Sequence, residues 1–320
     1  MVPDQVRAFV RRHPTVRRAA RRIRMHLPER LGGINPDRLP PNIRRFELAL
    51  PVRDGGSPIG PPTLTVRSPG ELWVAKRLAE RGLAGYEPET LACFLAALEH
   101  GRPGAVLDVG ANIGVYAALA AARTYRDVYA FEPTPDVAAT ARAIAADNEL
   151  GFRVEELALS NHSGTATLRL SATTDASNSL AEGFRREVGR IPVRLDTLAR
   201  WRERAGVVPA VIKIDTETTE PDVIAGGLEV LRRFRPWVFC EVLPDRGVEE
   251  RLMALLEPLD YGWYHLSGAT PYPPRPEITG RGYGSRDRMW MFAPEPPAPG
   301  FWRAADNWRS AIDACRPPTG

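Results

Sequence analysis

The chain has 320 residues, of which 43% are hydrophobic and 26% charged, and its formal net charge at pH 7 is +4. This composition is that of a folded globular protein, and it excludes a disordered chain, which would combine lower hydrophobicity with higher net charge. No run of about 18 apolar residues is present and the N-terminus lacks the apolar stretch of a signal peptide, so the sequence predicts a cytoplasmic protein without a membrane span. The three cysteines lack metal-ligand spacing, which excludes a cysteine-based zinc site.

Positive charge is concentrated in residues 1–30, which contain nine arginines against Asp4 and Glu29. Apolar residues recur among these arginines at roughly helical spacing, interrupted by Pro14, which predicts short basic amphipathic helices. Two interpretations stay open: peripheral contact with an anionic membrane surface, a phosphorylated carrier or nucleic acid, or a solvated helix or frayed terminus. Because the rest of the chain is slightly acidic, a nucleic-acid partner is not favoured.

Composition and patterning divide the chain into a basic, proline-rich N-terminal extension (1–70), a main domain (71–295) with an insertion (160–209), and a C-terminal tail (296–320). Proline and glycine recur through residues 31–70, which predicts an irregular segment with a short hairpin strand at Thr63–Val66. Helical patterning starts at Glu71, and again after Pro88, from where it runs to His100.

Strands and helices alternate from Ala105 onward, which is typical of a parallel α/β sheet. The predicted strands are Ala105–Val109, Val128–Glu132, Arg153–Ala158, Val211–Asp215 and Trp237–Val242. The predicted helices are Val115–Arg123, Thr134–Asn148, Thr197–Ala205, Pro221–Phe234 and Gly247–Leu259. The insertion has its own strand signals at Thr165–Leu170 and Ile191–Leu195, and a final strand is predicted at Arg288–Phe292.

The sharpest local signal is a glycine turn, residues 110–114, between an apolar strand and an alanine-rich helix. A turn this tight needs residues without bulky side chains, and it lets backbone amides approach a ligand at the helix N-terminus. Glu132 ends the next predicted strand, where a carboxylate can accept hydrogen bonds from ribose hydroxyls. Together the two features predict a nucleoside-binding crevice.

The details of the turn indicate which nucleoside fits. A dinucleotide site would have glycines at positions 110, 112 and 115, whereas this chain has Asn112 and Val115, with Gly114 one position early. Asp108, just before the turn, would repel a pyrophosphate but suits a ligand with a cationic amino-acid moiety. S-adenosylmethionine has that chemistry.

Several further motifs follow one another in order between Tyr86 and Val242. They are Asp108-Val109-Gly110-Ala111-Asn112-Ile113-Gly114, Phe131-Glu132-Pro133, Asn148, Ala158-Leu159-Ser160 with Gly164, Val211-Ile212-Lys213-Ile214-Asp215, Glu217, Glu220, Gly226-Gly227, and Pro236 followed by Glu241. This set resembles the FkbM family of S-adenosylmethionine-dependent O-methyltransferases. The resemblance implies a class I methyltransferase fold: an α/β, Rossmann-like, doubly wound sheet of seven strands, mostly parallel, with an antiparallel last strand. It also implies O-methylation of a hydroxyl of a sugar, glycolipid or polyketide-type natural product.

The predicted cofactor is therefore S-adenosylmethionine. Ala158 and Leu159 are expected to pack on the adenine face, and Asn148 either bounds that pocket or caps its helix. In the family, the region around Glu87 closes over the cofactor; otherwise this residue starts a helix. The full predicted set is Glu87, Asp108, Gly110, Ala111, Asn112, Gly114, Glu132, Pro133, Asn148, Ala158, Leu159 and Asp215.

Acidic residues after the fourth strand are the candidates for catalysis. The first and fourth strands are neighbours at the switch point of a doubly wound sheet, so their carboxyl ends face one crevice. Asp215 or Glu217 is predicted to be the base or to orient the acceptor hydroxyl. The rival role of Asp215 is to hold the methionine ammonium. A divalent cation held by Asp215, Glu217 and Glu241 is a further option that is not favoured.

The fourth-strand motif departs from the family pattern at Thr218, where a glycine is usual. A glycine there allows positive φ or close approach of a ligand, and threonine penalises both, so the turn is expected to differ in shape. Lys213, inside the strand, is interpreted as a structural ion-pair partner, and Glu220 as a helix-capping residue.

Three other functions remain as alternatives. A nucleic-acid methyltransferase that acts on base amines would carry an Asn/Asp-Pro-Pro-aromatic run where this chain has Asp215-Thr216-Glu217. An NAD-dependent oxidoreductase is opposed by the glycine spacing. The third alternative is an inactive cofactor-binding homologue. The sequence names neither the acceptor nor the oligomeric state.

Overall fold

The computed structural model describes residues 43–53, 59–244, 246–280 and 288–317. The basic segment 1–30, with its expected contact with an anionic surface, lies outside the described residues. A compact unit begins at Ile43. Within the described ranges, no helix combines the length and the apolar character that crossing a bilayer requires.

Strands and helices follow one another in the order that the sequence predicts for the main domain. The strands are β1 (Ile43–Ala49), β2 (Thr63–Pro69), β3 (Ala105–Val109), β4 (Val128–Phe131), β5 (Arg153–Glu155), β6 (Ala158–Leu159), β7 (Gly164–Ser171), β8 (Glu187–Asp196), β9 (Pro209–Ile214), β10 (Trp237–Glu241), β11 (Gly262–His265) and β12 (Met289–Ala293). The α-helices are α1 (Trp73–Arg81), α2 (Pro88–His100), α3 (Val115–Arg123), α4 (Pro135–Asp147), α5 (Leu198–Ala205), α6 (Glu220–Ala225), α7 (Leu228–Phe234), α8 (Val248–Leu256) and α9 (Pro299–Asp313).

Seven strands form the central sheet in the order β11-β12-β10-β9-β3-β4-β5. Five of these strands pair in parallel, namely β10, β9, β3, β4 and β5. Strand β12 is antiparallel to both of its neighbours. The order reverses between β3 and β9, which is the switch point where ligands bind in doubly wound sheets. The predicted fold class, with its antiparallel last strand, is confirmed.

Both faces of the sheet are buried, as parallel strands require. Val106 and Val211 pack on one side with residues of α1 to α4, α9 and the β1–β2 hairpin. Leu107 and Ile212 point the other way and pack with residues of α5 to α8. The alternation of side chains along β3 and β9 therefore divides the core into two layers that hold the switch point between them.

The β1–β2 hairpin belongs to this core, although the sequence places it in an N-terminal extension that ends at residue 70. β1 and β2 pair antiparallel along their whole length. Leu48, Leu64 and Val66 are buried beside Leu78 of α1 in the same hydrophobic cluster. The hairpin thus starts well before the expected strand at Thr63–Val66.

Helix α9 replaces the expected C-terminal tail. Phe301, Ala304, Ala305, Trp308 and Ile312 are buried, which is the spacing of one helical face. The Phe301 ring stacks on Trp237, with 4.7 Å between centroids. This part of the chain is therefore a packed helix rather than a tail, because the apolar side chains that follow Pro299 share one face.

Two other predicted elements are interrupted. The expected strand Arg153–Ala158 splits into β5, in the central sheet, and β6, which joins β7 and β8 in a three-stranded sheet. The expected helix Pro221–Phe234 splits into α6 and α7 at Gly226 and Gly227. A Cβ at Gly226 would overlap the Ser160 carbonyl, so the glycine lets the end of β6 approach the helix backbone.

Candidate active site

A cleft of about 810 Å³ opens at the carboxyl ends of β3, β4 and β9. Most of the residues predicted from sequence line it: Glu87, Gly110, Ala111, Asn112, Glu132, Pro133, Ala158, Leu159, Asp215 and Glu217. Asp108 lies beneath the lining, buried at 1% exposure. Gly114 and Asn148 do not line the cleft. The fold therefore brings together residues from five separate segments of the chain.

Asn148, which the sequence places among the cofactor-binding residues, does not line the cleft. Its side-chain amide accepts a hydrogen bond from Thr65 N (2.7 Å) and donates to Thr65 O (2.9 Å), so it pairs with the backbone of β2. It also donates to Ile144 O (2.8 Å), in the last turn of α4. Of the two roles expected, the helix-capping one matches these contacts. Gly114 likewise serves local structure, with φ +80 at the start of α3.

The glycine turn directs its amides inward. Gly110 has φ +72, and a Cβ there would overlap the Asp215 carbonyl, so a glycine is required where β3 meets the end of β9. The amides of residues 110 and 111 donate to Phe131 O, and that of Asn112 donates to Glu132 Oε2. The amides of residues 113 and 114 are also bonded within the turn. Every amide of residues 110–114 thus has an internal acceptor, and the turn has none to offer a phosphate.

Glu132 is held in one orientation at the end of β4. Its Oε2 accepts from Asn112 N (3.0 Å) and its Oε1 accepts from Thr134 N (2.8 Å). Burial raises the pKa of this carboxyl, and the backbone donors oppose that shift because they stabilise the charged form. A fixed carboxylate at this strand end is suited to accept ribose hydroxyls.

A buried ion-pair network lies under the cleft. Lys213 Nζ is 3.1 Å from Asp215 Oδ2 and 4.0 Å from Asp108 Oδ1, which confirms Lys213 as an ion-pair residue. Asp108 Oδ2 accepts from Ala117 N (3.0 Å), while Oδ1 has no hydrogen-bond partner. Burial raises the pKa of Asp108 to about 6, against the lowering effect of Lys213. Burial disfavours the charged lysine, yet Asp215 and Asp108 raise the pKa of Lys213 above its usual value.

Glu87 closes the network from the N-terminal side of α2. It has φ +47, and its Oε2 accepts a 2.6 Å hydrogen bond from the Tyr116 hydroxyl. Burial and the nearby charge of Asp215 raise the pKa of Glu87, and Lys213 lowers it. Glu87 lines the cleft and also directly precedes α2, so both roles that the sequence leaves open for it stay predictions.

Three carboxylates meet on the other side of the cleft. Asp215, Glu217 and Glu241 each offer an oxygen within 4.8 Å of the others. One oxygen of Glu217 and one of Glu241 are buried, and neither has a hydrogen-bond partner among the described residues. Burial, with the charge of Asp215, raises the pKa of Glu217 to about 8 and that of Glu241 well above its usual range. Such a group can accept a proton, and its oxygens are also the donors that a hard divalent cation prefers.

The turn after β9 keeps positive φ despite its threonine. Glu217 has φ +57 and Thr218 has φ +85. Glu220 Oε1 accepts from Thr216 N (2.8 Å) and Thr218 N (3.2 Å), so this carboxyl holds the turn together. Thr218 therefore adopts the positive φ that threonine penalises, and a difference in shape from the turn of the family stays a prediction. Glu220 stabilises the turn in addition to starting α6.

Comparison with known proteins identifies the segment that carries this cleft. Residues 108–262 match the family model of the methyltransferase FkbM domain. This segment is an FkbM methyltransferase domain. The family resemblance of the sequence is thereby confirmed, and membership implies S-adenosylmethionine as methyl donor.

Several solved structures that are similar to the chain, at low sequence identity, are named for methyltransferases or bound S-adenosylmethionine. The methyltransferase FkbM from Methylobacillus flagellatus is 14% identical over 59% of this chain, with a TM-score of 0.39, and this chain spans 43% of its length. Precorrin-6y C5,15-methyltransferase from Geobacter metallireducens is 10% identical, with coverages of 63% and 87% and a TM-score of 0.36. Aeropyrum pernix fibrillarin with bound S-adenosylmethionine is 13% identical, with coverages of 60% and 66% and a TM-score of 0.34. These TM-scores are too low to bear on the fold, which rests on the strand order, and no curated protein matches the chain.

The residues of the FkbM domain fit the implied cofactor. S-adenosylmethionine carries a sulfonium and an ammonium group, and the cleft has more carboxylates than cationic side chains. Glu132 would hold the ribose, and Ala158 and Leu159, which line the cleft, would provide an apolar wall for the adenine. Asp215 and Glu87 are the carboxylates available to the ammonium. The unpartnered Asp108 oxygen beneath them adds negative charge to the same side.

Sequence reasoning missed several residues that line the cleft. Asp175 and Ser179 come from the insertion, and Arg185 and Arg288 lie near Glu217. The sequence indicates Glu241 only as a cation ligand. Its position resembles that of Asp215, because Glu241 is the last residue of β10 and Asp215 directly follows β9. That position was the signal for Glu241; the other four lie in irregular segments whose place depends on distant contacts.

Proposed function

We propose that the chain transfers a methyl group from S-adenosylmethionine to a hydroxyl of a sugar, a glycolipid or a polyketide-type acceptor. The observation that carries the proposal is the pair of contrasting acidic groups in one cleft. Glu132 is fixed by backbone donors on the nucleoside side, and Glu217 is buried with an unpartnered oxygen on the other side.

Glu217 is our candidate for the base. The sulfonium of the cofactor supplies an electrophilic methyl carbon, so the protein must orient the acceptor oxygen and take its proton. Lys213 already pairs with Asp215, which supports a role of Asp215 in charge balance near the ammonium rather than as the base. Among the residues that the structure describes, none forms such an ion pair with Glu217, and its raised pKa of about 8 is close to the operating range of a general base. Glu217 would accept the hydroxyl proton as the oxygen–methyl bond forms and the sulfur–methyl bond breaks, with S-adenosylhomocysteine as the leaving group.

The hydrogen bonds of the glycine turn disfavour the alternative of an NAD-dependent oxidoreductase. A dinucleotide needs turn amides for its pyrophosphate, and the amides of residues 110–114 are all bonded internally.

We further propose that the protein acts in the cytoplasm, because its three cysteines are free and buried, which suits a reducing compartment.

Methyl transfer from radiolabelled S-adenosylmethionine tests the proposal. The acceptor panel consists of sugars, glycolipids and polyketide-type alcohols, with total RNA as a separate arm. We expect label in a hydroxyl acceptor, loss of transfer in Glu217→Gln, and retained transfer in the control Glu156→Gln, whose side chain pairs with Arg142 away from the cleft. Label in RNA alone, or transfer that survives Glu217→Gln, would contradict the proposal.

A further inference from the structure

A short segment of the insertion, residues 175–179, crosses the cleft and contacts both of its sides. Asp175 Oδ1 accepts a 2.7 Å hydrogen bond from Trp73 N at the start of α1. Asp175 Oδ2 accepts a 3.3 Å hydrogen bond from Asn112 Nδ2 in the glycine turn. One carboxylate from the insertion therefore binds two segments that border the nucleoside side of the cleft.

The other end of the segment is anchored on the acceptor side. Ser179 is 3% exposed, and its hydroxyl donates a 2.6 Å hydrogen bond to the Glu217 carbonyl. The Ser179 backbone pairs with Arg169 of β7 in both directions. The path from Asp175 to Ser179 is thus fixed at both ends, and it can set the position of the groups that it touches.

We propose that Asp175 is a positioning residue for the cofactor, acting through Asn112 on the ribose-binding carboxylate Glu132. This inference rests on the proposed function. Asn112 is the link because its backbone N–H donates to Glu132 Oε2 (3.0 Å) while its side-chain amide donates to Asp175.

The geometry of Asn112 makes the link rigid. The residue has φ +50, a conformation that asparagine tolerates better than most side chains. Its Oδ1 accepts from Ile113 N (2.9 Å), which leaves Nδ2 directed at Asp175 and fixes the orientation of the amide. Both ends of Asn112 are therefore held, and loss of the contact with Asp175 frees the residue that orients Glu132.

Asp175 itself is half-exposed at the cleft and belongs to no hydrophobic cluster. Its removal should leave the core intact. The effect that we expect is on cofactor affinity, with the free energy of unfolding nearly unchanged.

Asp175→Asn isolates the contact with Asn112. The new side chain keeps one oxygen to accept from Trp73 N, and it turns its NH₂ toward the Asn112 NH₂, where two donors meet. Calorimetric titration with S-adenosylhomocysteine should show affinity weakened about tenfold, the scale of one charge-assisted hydrogen bond. The melting temperature should move by no more than about 1 °C, as for a surface substitution. Asp147→Asn, which breaks an exposed ion pair with Arg67 away from the cleft, is the matched control and should bind as the wild type does.

A double-mutant cycle separates positioning through Asn112 from any other effect. Asn112→Gly tolerates the positive φ and removes the side chain, so adding Asp175→Asn to it should weaken binding no further than Asn112→Gly alone does. Additive losses, or Asp175→Asn binding like wild type, would overturn the role of Asp175 and leave the proposed function standing. A wild-type chain that does not bind S-adenosylhomocysteine would overturn both.

Discussion

Thr218 adopts a conformation that few side chains tolerate, and replacing it should stabilise the protein. It is β-branched, has φ +85, is 7% exposed, and its hydroxyl is buried without a partner. Relief of backbone strain should contribute about 1–3 kcal/mol, and loss of the unpaired hydroxyl adds to it. Two effects lower the free energy of unfolding. The greater conformational entropy of glycine in the unfolded chain costs about 1 kcal/mol, and the loss of one buried methyl group costs about 0.8 kcal/mol. We expect Thr218→Gly to raise the free energy of unfolding by about 1 kcal/mol.

The neighbouring threonine provides the control. Thr219 has φ −106, and its hydroxyl donates to Thr216 O (3.2 Å), so Thr219→Gly loses a hydrogen bond and relieves no strain. Urea unfolding of both variants should show a gain for Thr218→Gly and a loss of about 1–2 kcal/mol for Thr219→Gly. Equal losses in the two variants would show that Thr218 stores no strain, and would refute the reasoning.

Three other predictions concern buried polar groups. Burial raises the pKa of Glu220 from 4.5 to about 7, so its protonated form stabilises the fold below pH 4.5 and that contribution is lost as pH rises through 7. Urea unfolding should therefore show wild type losing roughly 2–3 kcal/mol relative to Glu220→Gln between pH 5 and pH 8, and parallel pH curves would contradict this. Asn148→Ala should lower stability by about 2 kcal/mol through its lost bonds to Thr65, with S-adenosylhomocysteine affinity unchanged in calorimetry; weakened binding would return Asn148 to the site. Lys213→Met should cost about 3–5 kcal/mol in urea unfolding because Asp215 loses its partner, and a stable variant would contradict a structural ion pair.

Local patterns were sufficient for the centre of the fold. The bounds of β3 and α3 match the predicted Ala105–Val109 and Val115–Arg123, because an apolar run, a glycine turn and an alanine-rich stretch specify them without distant partners. The meeting of Asp215 with the glycine turn also followed from sequence, since it depends only on the order of parallel strands.

Long-range contacts account for what the sequence did not predict. Asn148 pairs with Thr65, 83 residues away, and nothing near Asn148 indicates that partner. The break between α6 and α7 depends on the Ser160 carbonyl that lies against Gly226. Asp175 acts through contacts with Trp73 and Asn112 that only the folded chain assembles. Helix α9 is different, because the helical spacing of its apolar residues is already present in the sequence.

The most direct measurement is calorimetric titration of the protein with S-adenosylhomocysteine, alongside Glu132→Gln and the control Glu156→Gln. Glu156 pairs with Arg142 outside the cleft, so its variant should bind as the wild type does. We expect micromolar binding by the wild type and a loss of about tenfold or more in Glu132→Gln, because the amide cannot replace a carboxylate that accepts from two backbone donors and the ribose. Absence of binding to the wild type, or equal affinity in Glu132→Gln, would contradict the assignment of this cleft to the methyl donor.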